Sequence, residues 1–184
     1  MRYYFEGHHE LFEGFAINAL EKEWRKHPVI YLDLKRGRTM DMESFDSMID
    51  NNLSDYKTQY HITVDKKDGY STRLTKIIKE AYKATKEQVV LIDKYDAPML
   101  DTLGDNELKK KIRNRVRELY SPLKVQSELL RFVFLTGITK FSQLSNFSEL
   151  NNLTDISMDR HYIEICGITE SGIHDHFNKE IELQ

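Results

Sequence analysis

The sequence has few of the features that place a protein outside the cell or in a membrane. Cys166 is its one cysteine, so no disulfide forms within the chain, and a reducing compartment fits this usage. No apolar run approaches the ~20 residues that a membrane-spanning helix needs. The first residues, MRYYFEGHHE, are charged and aromatic and do not resemble a signal peptide. We therefore expect a cytoplasmic protein without a membrane span.

An excess of positive charge is also missing. The 184 residues include 27 Lys and Arg against 30 Asp and Glu, which gives a net charge of −3. Domains that bind nucleic acid through its phosphates are commonly strongly basic, so the charge does not support a nucleic-acid partner. The length suits one domain, because a chain of this size buries roughly 70% of the surface that it exposes when unfolded.

The most informative pattern is the stretch QVVLIDKYDAPML at residues 88–100. Its four consecutive apolar residues, 89–92, are typical of a central parallel strand that is covered on both faces. Asp93 and Asp96 follow at the carboxyl end of this strand, where open α/β sheets bind ligands. An Asp in this position is how nucleotide-hydrolysing enzymes hold Mg²⁺. The alternative interpretation of Asp96 is a turn-forming residue before Pro98.

Three further apolar runs predict strands at residues 29–34, 132–135 and 162–166. Between the first strand and residue 88, apolar residues recur at helical spacing over 41–56 and 71–84. The order strand, helices, strand predicts a right-handed crossover connection. The fold class is therefore α/β with a parallel sheet.

Local signals place the helix ends and one long loop. Asp41 and Asp105 each precede an amphipathic segment and are predicted to cap its helix. Ser121 followed by Pro122 is typical of an N-cap and first residue, which predicts that a new short helix begins there. The polar stretch 139–159 is long enough for a loop to suggest a function.

Asp33 and Lys35 suggest a different chemistry. With one residue between them at a strand end, they imitate the D-x-K half of a metal-dependent nuclease site. A strand-end Asp followed by a solvated Lys gives the same pattern. The nuclease hypothesis therefore needs plasmid cleavage that requires metal and is lost in Asp33→Ala.

Four segments together resemble a known family. They are HPVIYLDL, VVLIDKYDAPML, RFVFLTGITKFSQLSNFSELNNLTDISMD and YIEICGITE. In this order and spacing they are similar to the bacterial AAA-ATPase-like family, whose P-loop NTPase domain is often joined to a C-terminal PD-(D/E)XK nuclease-like domain. The resemblance extends over essentially the whole chain.

The resemblance implies an ASCE-type, AAA-like core, which is a doubly wound parallel sheet that uses ATP and Mg²⁺ in intact relatives. It makes residues 89–93 the Walker B strand, Asp93 the acid that organises Mg²⁺, and Thr136 a residue near the polar sensor position. Lys140 and Arg160, in and beside the long loop, are our candidates for contacting a nucleotide phosphate from a neighbouring subunit.

Two departures from the family pattern weaken this expectation. No G-x-x-x-x-G-K-[ST] phosphate loop occurs in the sequence, so its backbone N–H groups and its Lys are not available to the phosphates. Lys94 stands where the family normally has Glu, and an ammonium neither deprotonates water nor tolerates a divalent cation beside it. Asp96, two residues further on, is the candidate for partial compensation. We expect nucleotide binding by this chain to be weak or absent.

The missing loop also predicts an incomplete sheet. In the family's sheet the first, phosphate-loop strand would lie between residues 132–135 and 162–166. Its absence would leave two unpaired apolar edges, unless these strands close together or borrow a strand from an oligomer partner or a missing N-terminal segment. The chain thus resembles an N-terminally truncated AAA-ATPase-like domain without the nuclease-like domain. We expect a fragment that hydrolyses no ATP by itself. The alternative is a nucleotide-independent interaction module or inert remnant.

Overall fold

A computed structural model describes residues 1–63, 65, 67–139, 152–162, 164–165 and 169–181. Its centre is a parallel three-stranded sheet in the order β1-β2-β3, formed by Val29–Asp33, Gln88–Asp93 and Leu130–Leu135. All three strands coincide with predicted apolar runs, so this part of the prediction is confirmed. The central strand β2 is buried along residues 88–92 because it has a neighbour on each side and packing on both faces.

Helices surround the sheet and connect its strands. Asp41 caps α3 by accepting a hydrogen bond from the backbone N–H of Ser44, and Asp105 caps α6 through Leu108, as predicted. The described helices are α1 (Arg2–Phe5), α2 (Ala16–Leu20), α3 (Met42–Gln59), α4 (Tyr70–Thr85), α5 (Ala97–Leu100), α6 (Asn106–Val125) and α7 (Glu170–Ile181).

The two faces of the sheet are covered differently. On one face, α3, α4 and α6 enclose a large core whose fully buried members include Phe45, Leu74 and Leu119. On the opposite face, the smaller cluster of Val29, Val89 and Leu91 packs against partly buried residues that include Phe5 of α1. Because strand side chains alternate between faces, the side chains of Tyr31, Asp33 and Asp93 also lie on this second face.

Side chains of α3 cover the outer edge of β1. The Tyr56 hydroxyl accepts from the Tyr31 N–H at 2.7 Å and donates to the Tyr31 carbonyl at 3.0 Å. Two residues along, the Asn52 amide forms a matching pair of hydrogen bonds with the backbone of Asp33. These contacts satisfy backbone groups that would otherwise have no strand to pair with.

Two sequence predictions are wrong. No new helix starts at Pro122, because α6 continues through it. Burial of Leu119, Tyr120 and Leu123 on either side of the proline offsets the helical hydrogen bond that proline cannot make. The fourth strand is also absent from the described part of 162–166, where Arg160–Tyr162 is a 3-10 helix and 164–165 is a turn. In the described residues β3 pairs with β2 alone, so this segment has no adjacent strand to complete its hydrogen bonds.

None of the described helices is both long enough and apolar enough to cross a bilayer.

Candidate functional site

The candidate site lies at the carboxyl ends of the three strands. Asp33 and Asp93 are the last residues of β1 and β2 and stand opposite each other in the sheet register. Lys94 follows directly after β2, and Thr136 follows directly after β3. We call Asp33, Asp93, Lys94 and Thr136 the strand-end cluster.

Asp93 is the centre of the strand-end cluster. Its Oδ1 accepts a hydrogen bond from the Thr136 hydroxyl at 2.7 Å. Its Oδ2 accepts from the Lys94 ammonium at 2.9 Å and from the Tyr31 hydroxyl at 3.3 Å. Partial burial works to raise the pKa of Asp93, but the hydrogen bonds from Thr136 and Lys94 outweigh it and hold this pKa below its usual value. The carboxylate is therefore ionised at neutral pH, with both oxygens engaged.

Lys94 reaches back over the strand ends because of its backbone conformation. Its φ of +55° lies in the left-handed region, which residues other than Gly, Asn and Asp seldom adopt. The ammonium thereby also comes within 3.7 Å of Asp33 Oδ1, so that one cation faces two carboxylates. Its hydrogen bond to Asp93 and the charge of Asp33 raise the pKa of Lys94 above its usual value.

Asp96 does not join the strand-end cluster. Its side chain is 1% exposed, and Oδ2 accepts hydrogen bonds from the backbone N–H groups of Ile138 at 3.0 Å and Thr139 at 2.6 Å. The carboxylate thus ties the loop after β2 to the loop after β3. With two backbone donors on one oxygen and little access to solvent, Asp96 is placed to hold structure rather than to activate water.

Backbone contacts fix the position of Thr136. Its N–H donates to the carbonyl of Ile92, and its carbonyl accepts from the N–H of Tyr95, both at 2.9 Å. The Tyr95 hydroxyl in turn donates to the carbonyl of Thr139. Gly137 lies so close to Tyr95 and Asp96 that a Cβ would come within 2.5 Å of the tyrosine ring and 2.7 Å of Asp96 Oδ1. The sequence signal for this junction is the Thr-Gly pair after the apolar run 132–135.

The remaining candidates are not assembled with the strand-end cluster. Lys140 lies outside the described residues. Arg160 is exposed in the 3-10 helix Arg160–Tyr162, and none of the described contacts joins it to Asp93. Lys35 of the proposed D-x-K half-site directs its ammonium to Asp101 Oδ1 at 2.6 Å. Its backbone N–H, not its ammonium, contacts Asp33.

The fold and the strand-end cluster define a mixed α/β protein whose three-stranded parallel sheet is compatible with a P-loop-like core. Residues 1–147 match the family model described as predicted AAA-ATPase, and the chain belongs to this AAA-ATPase-like family. Over 178 residues it is 35% identical to an "Uncharacterized protein in vnfD 5'region" of Azotobacter chroococcum mcd 1. That alignment covers 96% of this chain and 34% of the relative, so the chain spans about a third of the relative's length. No solved structure matches the chain.

Mg²⁺, which the family implies for relatives, does not fit the strand-end cluster as it is folded. Mg²⁺ requires oxygen lone pairs in a near-octahedral arrangement. The Lys94 ammonium lies 2.9 Å from Asp93 Oδ2 and 3.7 Å from Asp33 Oδ1, and this positive charge repels a divalent cation from both carboxylates. Across the described ranges, moreover, no group of three or more His, Cys, Asp or Glu residues is arranged to hold a metal ion.

Proposed function

We propose that this chain carries the Walker B part of an AAA-ATPase-like domain, with Asp93 as the counterpart of the acid that organises Mg²⁺ in relatives and Thr136 as the counterpart of their polar sensor. The observation that carries this proposal is the 2.7 Å hydrogen bond between the two side chains at the carboxyl ends of adjacent parallel strands. This edge of an open α/β sheet is where such proteins bind their ligands. Membership in the family supports the same assignment.

We further propose that these 184 residues do not hydrolyse ATP on their own. The sequence has no G-x-x-x-x-G-K-[ST] segment, whose backbone N–H groups and Lys would hold the phosphates. At the position after Asp93, Lys94 supplies a positive charge that cannot accept a proton from water. Asp96 does not replace the missing Glu, because its carboxylate is buried and accepts hydrogen bonds from the backbone N–H groups of Ile138 and Thr139.

The test is a titration of the 184-residue chain with a fluorescent ATP analogue, with and without MgCl₂, together with a phosphate-release assay. We expect neither Mg²⁺-dependent binding at micromolar strength nor phosphate release. Lys94→Glu should leave the chain inactive, because the glutamate alone does not supply the phosphate contacts. Mg²⁺-dependent micromolar binding that disappears in Asp93→Asn would contradict inactivity and would identify Asp93 as a nucleotide-site residue.

A nucleotide-independent interaction module is the second candidate function. The observation that favours it is the pairing of Asp93 with Lys94, which closes the strand-end cluster without an external ligand. The two candidates differ in one measurement. A chain that supplies the Walker B part should gain nucleotide binding when a phosphate-loop segment of a family member is fused to it, whereas an interaction module should not.

A further inference from the structure

We propose that the ammonium of Lys94 is the built-in cation of the strand-end cluster and takes the place that a divalent metal ion occupies in relatives. This inference rests on the proposed function in one respect, since it treats Asp93 as the counterpart of the metal-organising acid. It goes beyond that function by assigning Asp33 as the second carboxylate that this cation serves. It also makes Lys94 the residue that excludes metal from the native chain.

The sheet register brings two negative charges together. Asp33 and Asp93 are partners across adjacent parallel strands, which lie about 4.8 Å apart. Both side chains point to the same face of the sheet and are about a quarter to a third exposed, at 24% and 31%. Like charges at this separation repel each other unless a cation lies near both.

Lys94, the residue directly after Asp93, supplies that cation. Its ammonium lies 2.9 Å from Asp93 Oδ2 and 3.7 Å from Asp33 Oδ1. In an extended continuation of β2 the side chain of Lys94 would point to the face opposite that of Asp93, whereas the left-handed φ of +55° breaks this alternation. An ordinary surface ion pair does not require an unusual backbone conformation. Lys94 combines a left-handed backbone with contacts to two carboxylates.

The other polar groups complete a site that needs no metal. Asp93 accepts from the hydroxyls of Thr136 and Tyr31, and Asp33 Oδ1 accepts from the backbone N–H of Lys35 at 2.9 Å. These donors are neutral and leave further lone pairs on the carboxylate oxygens, so the ammonium of Lys94 is the positive charge that balances the two carboxylates. Removal of the Lys94 charge leaves two carboxylates without their cation. A hard divalent ion is then the natural replacement.

The experiment uses Mn²⁺ as the probe, because free Mn²⁺ is measured directly by its electron paramagnetic resonance signal. The native chain, Lys94→Met and Lys94→Arg are titrated in parallel at low ionic strength. Met keeps the length and apolar stem without the charge, and Arg keeps the charge. We expect Lys94→Met to bind one Mn²⁺ at least about tenfold more tightly than the native chain, because a positive charge next to the metal position has been removed. Lys94→Arg should bind as weakly as the native chain.

Further controls separate the strand-end cluster from other carboxylates. Adding Asp93→Asn or Asp33→Asn to Lys94→Met should abolish the gained Mn²⁺ binding. Mn²⁺ should raise the melting temperature of the single variant Lys94→Met but not that of the native chain or of the double variants. Equal binding by the native chain and Lys94→Met, or by Lys94→Arg and Lys94→Met, would overturn the proposal. If Lys94→Met fails to fold, Lys94→Gln replaces it. Native Mn²⁺ binding that is lost in Asp93→Asn would in any case refute the proposal.

This measurement is independent of the proposed function. It detects metal in the absence of nucleotide, and it can fail while the chain still supplies the Walker B part of an ATPase domain. Conversely, Mn²⁺ binding gained in Lys94→Met would support the built-in cation even if fusion of a phosphate-loop segment gives the chain no nucleotide binding, a result that would contradict the Walker B assignment.

Discussion

Asp96 accepts a hydrogen bond from the backbone N–H of Ile138, a residue 42 positions further along the chain. The same oxygen accepts from Thr139, and the carboxylate is almost completely buried. The loops that follow β2 and β3 are therefore joined by a side chain rather than by a strand. The hydroxyl of Thr136 is held beside Asp93 by this connection and by the neighbouring backbone contacts.

We expect Asp96→Ala to lower the free energy of unfolding by about 1.5 to 3 kcal/mol, because two backbone donors lose a charged acceptor. Asp96→Asn should lose less free energy of unfolding, since its side-chain oxygen can still accept a hydrogen bond from these backbone N–H groups. Urea unfolding followed by circular dichroism measures both. The matched control is Asp159→Ala, which removes an exposed carboxylate that accepts from the N–H of His161 and should change stability by less than about 0.5 kcal/mol. Equal losses in Asp96→Ala and Asp159→Ala would contradict the assigned role of Asp96.

Gly137→Ala should destabilise the protein by about 1 to 3 kcal/mol, because the new methyl group has no space beside Tyr95 and Asp96. The control is Gly37→Ala. Around Gly37 nothing lies within 4 Å of an added Cβ, and its φ is not positive. Thermal unfolding of the two variants compares them directly. An unchanged melting temperature for Gly137→Ala would show that the two loops are not as closely packed as described.

Thr136→Val is expected to raise the pKa of Asp93, because it removes the hydroxyl that donates to Oδ1. A lowered pKa in the folded state contributes stability above the unfolded pKa of about 4, and this stability is lost as the pH falls through the folded value. Thr136→Val should therefore lose about 1 kcal/mol or less at neutral pH, since the pair is partly exposed, and nothing at very low pH. Carbon-detected NMR titration of Asp93 measures the shift. Thr136→Ser, which keeps the hydroxyl, should titrate like the native chain.

A second pH-dependent contact joins α1 to the segment after α2. The Tyr4 hydroxyl donates to Glu21 Oε2 at 2.6 Å, and this hydrogen bond is the main reason that the pKa of Glu21 is lowered to about 2. Its contribution to stability is complete above the usual pKa of 4.5 and disappears as the pH falls toward 2. Tyr4→Phe should raise the Glu21 pKa toward 4.5. The difference in free energy of unfolding between Tyr4→Phe and the native chain should be largest near pH 7 and should disappear below pH 2.

Glu21→Gln serves as the control for Tyr4→Phe. The glutamine side chain does not titrate, so adding Tyr4→Phe to Glu21→Gln should lower the stability by an amount that does not change between pH 2 and pH 7. A Glu21 pKa that is the same in Tyr4→Phe and in the native chain would contradict the described hydrogen bond.

The strands and helix starts were predictable because they depend on local pattern. Continuous apolar runs identified β1, β2 and β3, although only β2 is buried along nearly its whole length and β3 is partly exposed. Asp41 and Asp105 were identified as caps because a capping side chain bonds within three residues of itself. The continuation of α6 through Pro122 was not predictable, because burial of the flanking residues decides it and burial depends on the whole fold.

The strand-end cluster was predictable in part. Asp93 was identified from its position after a strand and Thr136 from the resemblance to the family, and the structure places the two in contact. The pairing of Asp33 with Asp93 depends on the register of β1 against β2, which the sequence does not specify. The left-handed conformation of Lys94 gave no signal, because lysine has no preference for it. The burial of Asp96 was missed because its hydrogen-bond donors lie far along the chain.

The contacts of Asn52 and Tyr56 with β1 make the outer edge of this strand unavailable to another strand. These side chains occupy the main-chain groups of Tyr31 and Asp33 that an incoming strand would have to use on that side. Fibril-like stacking and strand exchange between copies are thus blocked at β1 by two polar residues of a helix. Among the described residues, the edge of β3 that faces away from β2 pairs with no strand, so a further strand would add to the sheet there rather than at β1.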